Sequence, residues 1–307
     1  MKQVYIPIAF LRNLPRAGTG KAVFVGGNQS STYYSTLDTF TIPTNTAATG
    51  FGSLATNQYR SGAASSATRG IITNGYNGSA ATNSIQYITI ATNSNASAFG
   101  SASIVAQESV ALSNDVRCLF SINVSPNRLE YVTIATTGNS TTYGTLANIS
   151  TGAMCIANTT RGVIGGSSTS SALSYFTIAT TGNGTAFGNL TEVRYTGGTA
   201  SSNTRGVFAA GNNTSAVLTS VEVHTIASTS SGAGIGSLSS GRRYTSGASN
   251  NLFGVFAGGT PSMTTGSAVS SSHILNLTTL ATATAFGSLT VAREGISGLC
   301  DSHGGLP

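Results

Sequence analysis

One short apolar segment recurs six times along the chain, and this repetition constrains the fold more than any other feature of the sequence. The clearest copy, residues 204–211, has a basic residue, a small residue, an apolar β-forming run and a glycine. Successive copies are 48, 48, 44, 44 and 48 residues apart. A regular period of about 20–50 residues is typical of arrays built from one supersecondary unit. The small residue of each copy is Ala22, Gly70, Cys118, Gly162, Gly206 or Gly254.

The composition leaves a disordered chain as an alternative. Only 7% of the residues are charged, and Gly, Ser, Thr and Asn are abundant, as in many low-complexity segments. The apolar residues, 39% of the chain, recur in phase with the repeat, however. A chain without a packed core would not need that phase, so we expect a folded array that spans the sequence as one domain.

Four predicted strands, called a, b, c and d, make up each repeat. Strand b is the apolar segment, and strand c ends in Thr-Ile or an equivalent pair. Residues 131–135 of one strand c alternate polar and apolar side chains, as a half-buried strand does. Strand d places an aromatic or aliphatic residue before a glycine, as at Phe187 and Gly188. Strand a leads into the next strand b and consists of small residues, as in residues 61–66.

The length variation lies almost entirely in the connection between strands b and c. The strand-c Ile, or Leu277, precedes the strand-d glycine by 10 residues in every repeat, and that glycine precedes the next small residue by 18. The step from the small residue to the strand-c end is 20, 20, 16, 16, 20 and 23 residues. Repeat scaffolds collect such insertions on one face, which is often the binding face. The predicted b–c loops are residues 28–34, 76–81, 123–127, 167–171, 212–217 and 260–269.

Units of about 44–50 residues with four short strands are typical of β-propeller blades. Small residues in strand a fit the innermost position, where all blades meet at the axis. A β-solenoid is the alternative, although its units are usually shorter. We therefore predict an all-β fold, a six-bladed β-propeller of four-stranded blades.

The C-terminal segment is predicted to close the ring. Residues 295–302 have the character of a strand a with no b, c or d after it, whereas the first repeat lacks a good strand a. Pairing the two would leave no open sheet edge. Residues 1–19 then form an N-terminal strap or docking arm, ahead of a propeller of residues 20–307. The predicted blades cover residues 20–54, 61–103, 108–147, 151–190, 195–239 and 244–290.

The net charge of +6 does not indicate a nucleic-acid site. Ten of the fourteen basic residues occupy two repeat positions, so they are spread around the ring, whereas phosphate binding favours a patch or stripe. We expect them to pair between strands or neighbouring blades. One set begins strand b and the other follows strand d: Lys21, Arg69, Arg117, Arg161 and Arg205, then Arg60, Arg194, Arg242, Arg243 and Arg293.

No catalytic, cofactor-binding or metal-binding residue is predicted. The strand-c polar residues occur once per blade, too far apart to share a substrate, and we expect them to pair with the strand-b basic residues. His224 replaces an apolar residue and is expected to lie in the core. The three cysteines have neither disulfide-framework nor metal-site spacing. The strand-c set is Asp38, Gln86, Glu130, Ser174, Glu222 and His273.

The order of these elements resembles the kelch repeat over residues 20–302: a basic residue, a small strand, an apolar strand ending in Gly-Gly, a strand with an acidic residue and a closing strand. The chain departs from that family in having no Trp and in keeping Gly-Gly in only three copies. The phrase Thr-Ile-Ala-Thr-Thr-Gly-Asn, at residues 133–139 and 177–183, is similar to kelch-like repeats of tailed-phage and environmental viral proteins. This resemblance implies a structural role in a virion.

The leading hypothesis is a non-enzymatic virion protein, in a phage tail or fibre, that mediates attachment or protein–protein interaction through its b–c loops. Tyr33, Tyr34, Tyr76 and Asn212 are the predicted contacts, because aromatic residues in polar loops stack on sugars or anchor interfaces. A purely structural tail or capsid-decoration subunit, docked by residues 1–19, is the second hypothesis. A carbohydrate-active propeller enzyme is the third, although no acid/base pair is visible.

The expected partners are other virion proteins and a host surface glycan or receptor, and self-association into a homo-oligomer stays open. No cofactor, nucleic acid or membrane insertion is expected, because the apolar run near the N-terminus is too short for a membrane span. The expected location is the surface of the virion, after assembly in the host cytoplasm.

Overall fold

The computed structural model describes residues 19–44, 47–123, 127–146, 151–264 and 266–306. Within these ranges the chain forms six four-stranded antiparallel sheets and one short hairpin, with no helix. The sheets are the blades of a six-bladed β-propeller, so the predicted fold class is confirmed. The predicted arm, residues 1–19, lies outside the described residues except for Thr19.

The strands are numbered in chain order and keep the letters a to d from the axis outward. The a strands are β6 (Gly62–Ser65), β10 (Ala111–Ser113), β14 (Met154–Ala157), β18 (Gly198–Ser201), β22 (Ser246–Ser249) and β26 (Ser297–Cys300). The b strands are β1 (Lys21–Val25), β7 (Arg69–Thr73), β11 (Arg117–Ile122), β15 (Arg161–Gly165), β19 (Arg205–Ala209) and β23 (Phe253–Ala257). The c strands are β4 (Thr36–Thr41), β8 (Thr82–Thr89), β12 (Arg128–Thr133), β16 (Ala172–Thr177), β20 (Ser220–Thr225) and β24 (Ser271–Asn276). The d strands are β5 (Thr49–Ser53), β9 (Ser97–Ala106), β13 (Thr141–Thr145), β17 (Thr185–Asn189), β21 (Ala233–Ser237) and β25 (Thr284–Ser288), and the hairpin is β2 (Asn28–Gln29) with β3 (Thr32–Tyr33).

The C-terminal strand closes the ring as predicted. β26 pairs antiparallel with β1, with Ala22 opposite Cys300, and completes the first blade. The carboxylate of Asp301, just after β26, accepts hydrogen bonds from the backbone N–H groups of Thr19 and Lys21, both at 3.0 Å. The two ends of the propeller are therefore joined through backbone and side-chain hydrogen bonds.

Each core cluster packs between blades because strand b is buried on both faces. Phe208, for example, is fully buried among residues of its own blade and of the preceding one, such as Ile156 and Val163. Burial of one such side chain contributes about 1.5–3 kcal/mol. Parts of strand a have no room for a larger side chain: a Cβ atom on Gly247 would lie 1.9 Å from the carbonyl oxygen of Thr199. Small residues therefore occupy much of strand a, although Leu112, Met154, Ile156 and Leu299 are larger buried side chains on these strands.

A β-bulge recurs between strands c and d in every blade. In the first blade Leu37 pairs with Gly52 but Asp38 pairs with Gly50, so Phe51 is the extra residue. Phe51 is buried in the core between blades. A bulge bends the strand and re-aims side chains, which explains why an aromatic or aliphatic residue precedes each strand-d glycine.

The basic residues that begin strand b link neighbouring blades, as predicted. Arg69 donates through Nη1 to the carbonyl oxygens of Ile134 and Ala135 in the next blade, both at 2.9 Å. Its guanidinium lies 4.5 Å from the ring centroid of Tyr87, in its own blade. Arg117, Arg161 and Arg205 make the equivalent contacts with the next blade.

The prediction that strand-c polar residues pair with the strand-b basic residues is wrong. Five of the six contact the preceding blade instead. For example, the backbone N–H of Thr290 donates to Asp38 at 2.9 Å, and that of Ala55 to Gln86 at 2.8 Å. Asp38 also forms an ion pair with the fully buried Arg293, at 2.7 Å. The bulge beside this position turns the side chain toward the preceding blade, which the sequence pattern alone did not reveal.

Candidate functional site at the loop face

Two sets of connections lie at the same end of the ring, which we call the loop face. Strand a begins where strand b ends, since Gly62 pairs with Thr73, so the d–a connections and the b–c loops share this end. Isolated bridges join the two sets directly, as between Tyr59 and Tyr76. The opposite end, the turn face, carries the a–b and c–d turns. The variable insertions are therefore gathered on one face, as their spacing predicted.

Tyrosines of two neighbouring blades meet on the loop face. Tyr33, on strand β3 of the first b–c loop, lies 5.5 Å from Tyr76 and 5.9 Å from Tyr59 between ring centroids. Tyr33 and Tyr76 are half-buried, whereas Tyr59 is buried, and burial raises the pKa of Tyr59 to about 12. The structure thus brings together two of the predicted contact residues. Tyr34 is half-buried too, but no ring contact joins it to this cluster among the described residues.

Asn212 does not have the exposed position that the sequence suggested. Its side chain is fully buried: Oδ1 accepts from Thr196 Oγ1 at 2.6 Å, and Nδ2 donates to the carbonyl oxygen of Asn213 at 3.0 Å. Its backbone pairs with Tyr195 of the d–a connection. Asn212 therefore holds two loops together and cannot contact a partner. Tyr76 occupies the same bridging position in its own blade, so the position alone does not decide exposure.

We did not identify from the sequence the residues that surround the axis of the ring where it opens on the loop face, a position that we call the mouth. Arg60 lies between two aromatic rings, with its guanidinium 4.6 Å from the centroid of Tyr59 and 4.1 Å from that of Tyr244. Its Nη1 forms an ion pair with Oε1 of Glu108, and both side chains are only partly exposed, 21% and 13%. The equivalent residue of every blade has a positive φ and lies eight positions after the strand-d glycine. The sequence itself contains this constant spacing. The six equivalent residues are Arg60, Glu108, Gly152, Thr196, Tyr244 and Gly295.

An axial cavity of about 120 Å³ opens behind this ring of residues. Its walls are the first halves of the six a strands, and Arg60, Glu108 and Tyr244 stand at its mouth. Cys155 lines the wall, and burial raises the pKa of its thiol to about 12. A second cavity of about 80 Å³ continues along the axis toward the turn face.

The C-terminal tail closes the axis at the turn face. Gly304 donates its backbone N–H to the carbonyl oxygen of Ser201 at 3.1 Å. His303 Nε2 lies 2.7 Å from the carbonyl oxygen of Ser65, and His303 Nδ1 accepts from the N–H of Gly305 at 3.0 Å. Burial lowers the pKa of His303, which favours the neutral imidazole that these contacts require. The axial cavity is therefore blind and opens on the loop face.

The described part of the loop face offers hydrogen-bonding groups and aromatic rings. Among the residues described by the structure, no group of three or more His, Cys, Asp or Glu side chains could hold a metal ion. Glu294 is buried beside the mouth, and desolvation raises its pKa although Arg243 and Arg60 oppose that shift. In the described ranges, no helix has the length and apolar character needed to cross a membrane.

Comparisons with known proteins identify the fold and no family. No protein-family model matches the chain, and no curated protein matches it. Among solved structures the chain is similar to a fungal alcohol oxidase of the AA5 family in complex with copper, with a TM-score of 0.61 and 13% identity. The match covers 91% of this chain but only 64% of the oxidase chain. At this identity the likeness supports the β-propeller fold alone.

Proposed function

We propose that this propeller is a non-enzymatic binding protein of a virion, in a tail or fibre, whose loop face attaches to a host surface glycan or receptor. The observation that carries this proposal is the pairing of half-buried Tyr33 and Tyr76 rings on the face that gathers the variable loops. Aromatic rings offer a large, rigid contact area at small entropic cost. The virion assignment rests on the resemblance of the repeat to the kelch repeat and of residues 133–139 to kelch-like repeats of viral proteins.

The Tyr33 loop is held in place, which favours a binding role. Asn28 of the β2–β3 hairpin exchanges backbone hydrogen bonds with Glu294, both at 2.9 Å, and its Nδ2 donates to the carbonyl oxygen of Ser30 at 2.9 Å. The ring of Tyr33 lies over Gly78 of the neighbouring loop, where a Cβ atom would be 3.1 Å from Tyr33 Cδ2. A contact surface that is ordered before binding loses less entropy on association.

The test compares Tyr33→Ala and Tyr76→Ala with the wild-type protein on an array of bacterial surface glycans and in pull-downs with host cells. Each change removes one ring of the pair, and we expect at least a tenfold loss of binding, as for an aromatic interface anchor. Tyr131→Ala is the matched control, because Tyr131 is also half-buried but packs against Arg117 and Tyr143 away from the loop face. Binding that survives both loop changes would refute the proposal.

A second candidate, a purely structural subunit docked by its N-terminal arm, is favoured by the position of Thr19. Thr19 is bound to Asp301 at the turn face, so the chain enters the ring opposite the loop face. A virion protein bound at the turn face would leave the loop face pointing away from the particle. Deleting residues 1–18 separates the candidates: loss of virion assembly with glycan binding intact supports docking by the arm, whereas intact assembly contradicts it.

A further inference from the structure

We propose that the axial cavity is a subsite for an uncharged, hydroxyl-rich end group, the terminal neutral sugar of a glycan that lies on the loop face. This inference rests on the proposed function and names the chemistry that the ring would recognise. The cavity is distinct from the Tyr33–Tyr76 pair, which would contact the rest of the glycan.

The size and shape of the cavity suit one end group. One water needs about 10–15 Å³ of cavity volume, so about 120 Å³ admits a group of several heavy atoms. Pockets that hold drug-sized ligands have volumes of about 300–1,000 Å³, so the axial cavity is too small for a long oligosaccharide. The tail at His303 and Gly304 closes the far end, so a ligand enters and leaves by the loop face.

Two buried polar atoms beside the cavity have no hydrogen-bond partner among the residues that the structure describes. Ser109 is 4% exposed and lines the cavity, and its Oγ has no hydrogen-bond partner within the described part of the chain. The Nε atom of Arg60 is likewise buried without a described partner. An unsatisfied buried polar group costs free energy, and one in a native structure requires an explanation. A ligand hydroxyl that enters the cavity can donate to Ser109 Oγ or accept from it.

The charges at the mouth favour a neutral ligand. Arg60 and Glu108 compensate each other, so an anionic group would gain from Arg60 but be repelled by Glu108. A hydroxyl can accept from a guanidinium and donate to a carboxylate at once. Arg has five N–H donors, and the ion pair uses Nη1, which leaves others for a ligand.

The experiment measures binding of glucose, galactose, mannose and N-acetylglucosamine, with glucuronate as the charged probe, by saturation-transfer NMR and calorimetry. We expect at least one neutral sugar to bind at millimolar concentration, as small ligands do, and glucuronate to bind more weakly. Ser109→Ala should weaken sugar binding about threefold to tenfold, the loss of one hydrogen bond, without lowering the thermal midpoint. Glu108→Gln should weaken it while leaving the ring folded.

Thr260→Val is the matched control. Thr260 is fully buried and its Oγ1 also lacks a described partner, but it does not line the axial cavity. Removing that hydroxyl should leave sugar affinity unchanged. The inference is overturned if no neutral sugar binds, if glucuronate binds most tightly, or if Ser109→Ala binds sugar as the wild type does. If those results coexist with loss of glycan binding in Tyr33→Ala, the proposed function stands and only the axial subsite fails.

Discussion

Replacing Asp38 with alanine tests how the ring is held closed. Asp38 lies on strand c of the first blade and receives three contacts from the segment that follows strand d of the last blade. Its carboxylate accepts from Thr290 N at 2.9 Å and from Thr290 Oγ1 at 2.7 Å, and it pairs with Arg293 Nη2 at 2.7 Å. Arg293 is fully buried and also donates to the carbonyl oxygens of Gly26 and Thr36. The alanine variant therefore leaves a guanidinium charge buried without its carboxylate.

The expected cost follows from that uncompensated charge. Removing one partner of a buried ion pair costs about 3–5 kcal/mol. Gln86→Ala is the matched control, because Gln86 occupies the same strand-c position and accepts from the backbone N–H of Ala55 at 2.8 Å. At the position equivalent to Arg293, this control variant has Gln58, and Gln58 is uncharged. Loss of a hydrogen-bond acceptor alone costs about 1–3 kcal/mol, so Asp38→Ala should be the more destabilising change.

The assay is urea denaturation of both variants, followed by circular dichroism, with the unfolding midpoint and slope compared with wild type. Asp38→Ala combined with Arg293→Met should cost less than the sum of the two single changes, because the double variant buries no unpaired charge. A free energy of unfolding for Asp38→Ala that equals or exceeds that of Gln86→Ala would refute the reasoning, as would strict additivity in the double variant.

Two further predictions concern pH and the C-terminal tail. Burial and the nearby Arg242 lower the pKa of His273 from its ordinary value to about 4. Between about pH 6.5 and pH 4, the unfolded chain therefore binds a proton at His273 that the folded chain does not. The free energy of unfolding should therefore fall as the pH falls through that window, and His273→Gln should make the fall shallower; an unchanged pH profile would contradict this. Deleting residues 303–307 removes the tail but keeps β26, so calorimetry should show a cooperative transition at a moderately lower midpoint. Deleting residues 295–307 also removes β26 and should abolish that transition, whereas a ring that stays equally stable would contradict closure by the last strand.

The number of blades and the closure of the ring by the last strand were predictable, because both follow from the constant spacing of the repeats. A repeat whose spacings are constant outside one loop leaves few ways to pair its strands, and residues 295–302 had no other strand to complete. The small residues of strand a were also predictable, since six strands converge at the axis and Gly247 has no room for a Cβ atom. The direction in which strand-c side chains point was not predictable. It depends on a bulge at Phe51 and its equivalents, which appears in the sequence only as an aromatic residue before glycine.

The candidate site was predicted only in part, because exposure depends on tertiary contacts. Tyr76 and Asn212 hold the same bridging position in their blades, yet one ring is half-exposed and the other side chain is fully buried. From the sequence, we placed Arg60 in one group with the other basic residues that follow strand d. In this blade, however, Gln58 occupies the buried position of that group, and Arg60 lies two residues further along the chain. Aligning the repeats by the strand-d glycine would have separated the two positions and placed Arg60 and Glu108 at the axis.

The sequence phrase at residues 133–139 and 177–183, which resembles viral repeats, has a structural role in this fold. That role bears on where a binding function must be tested. Asn139 and Asn183, which end the two copies, lie in c–d turns and accept the backbone N–H groups of Ser101 and Thr145 in the preceding blade, each at 3.0 Å. A Cβ atom on Gly100 would lie 2.0 Å from the carbonyl oxygen of Gly138, so the turn packs directly on that strand. Because these contacts hold blades together, the phrase contributes to blade packing at the turn face and does not locate a ligand site. For the proposed binding role, we therefore expect specificity to reside in residues that differ between blades at the loop face, such as Tyr33 and Arg60. Changes there are the ones that can separate binding from folding.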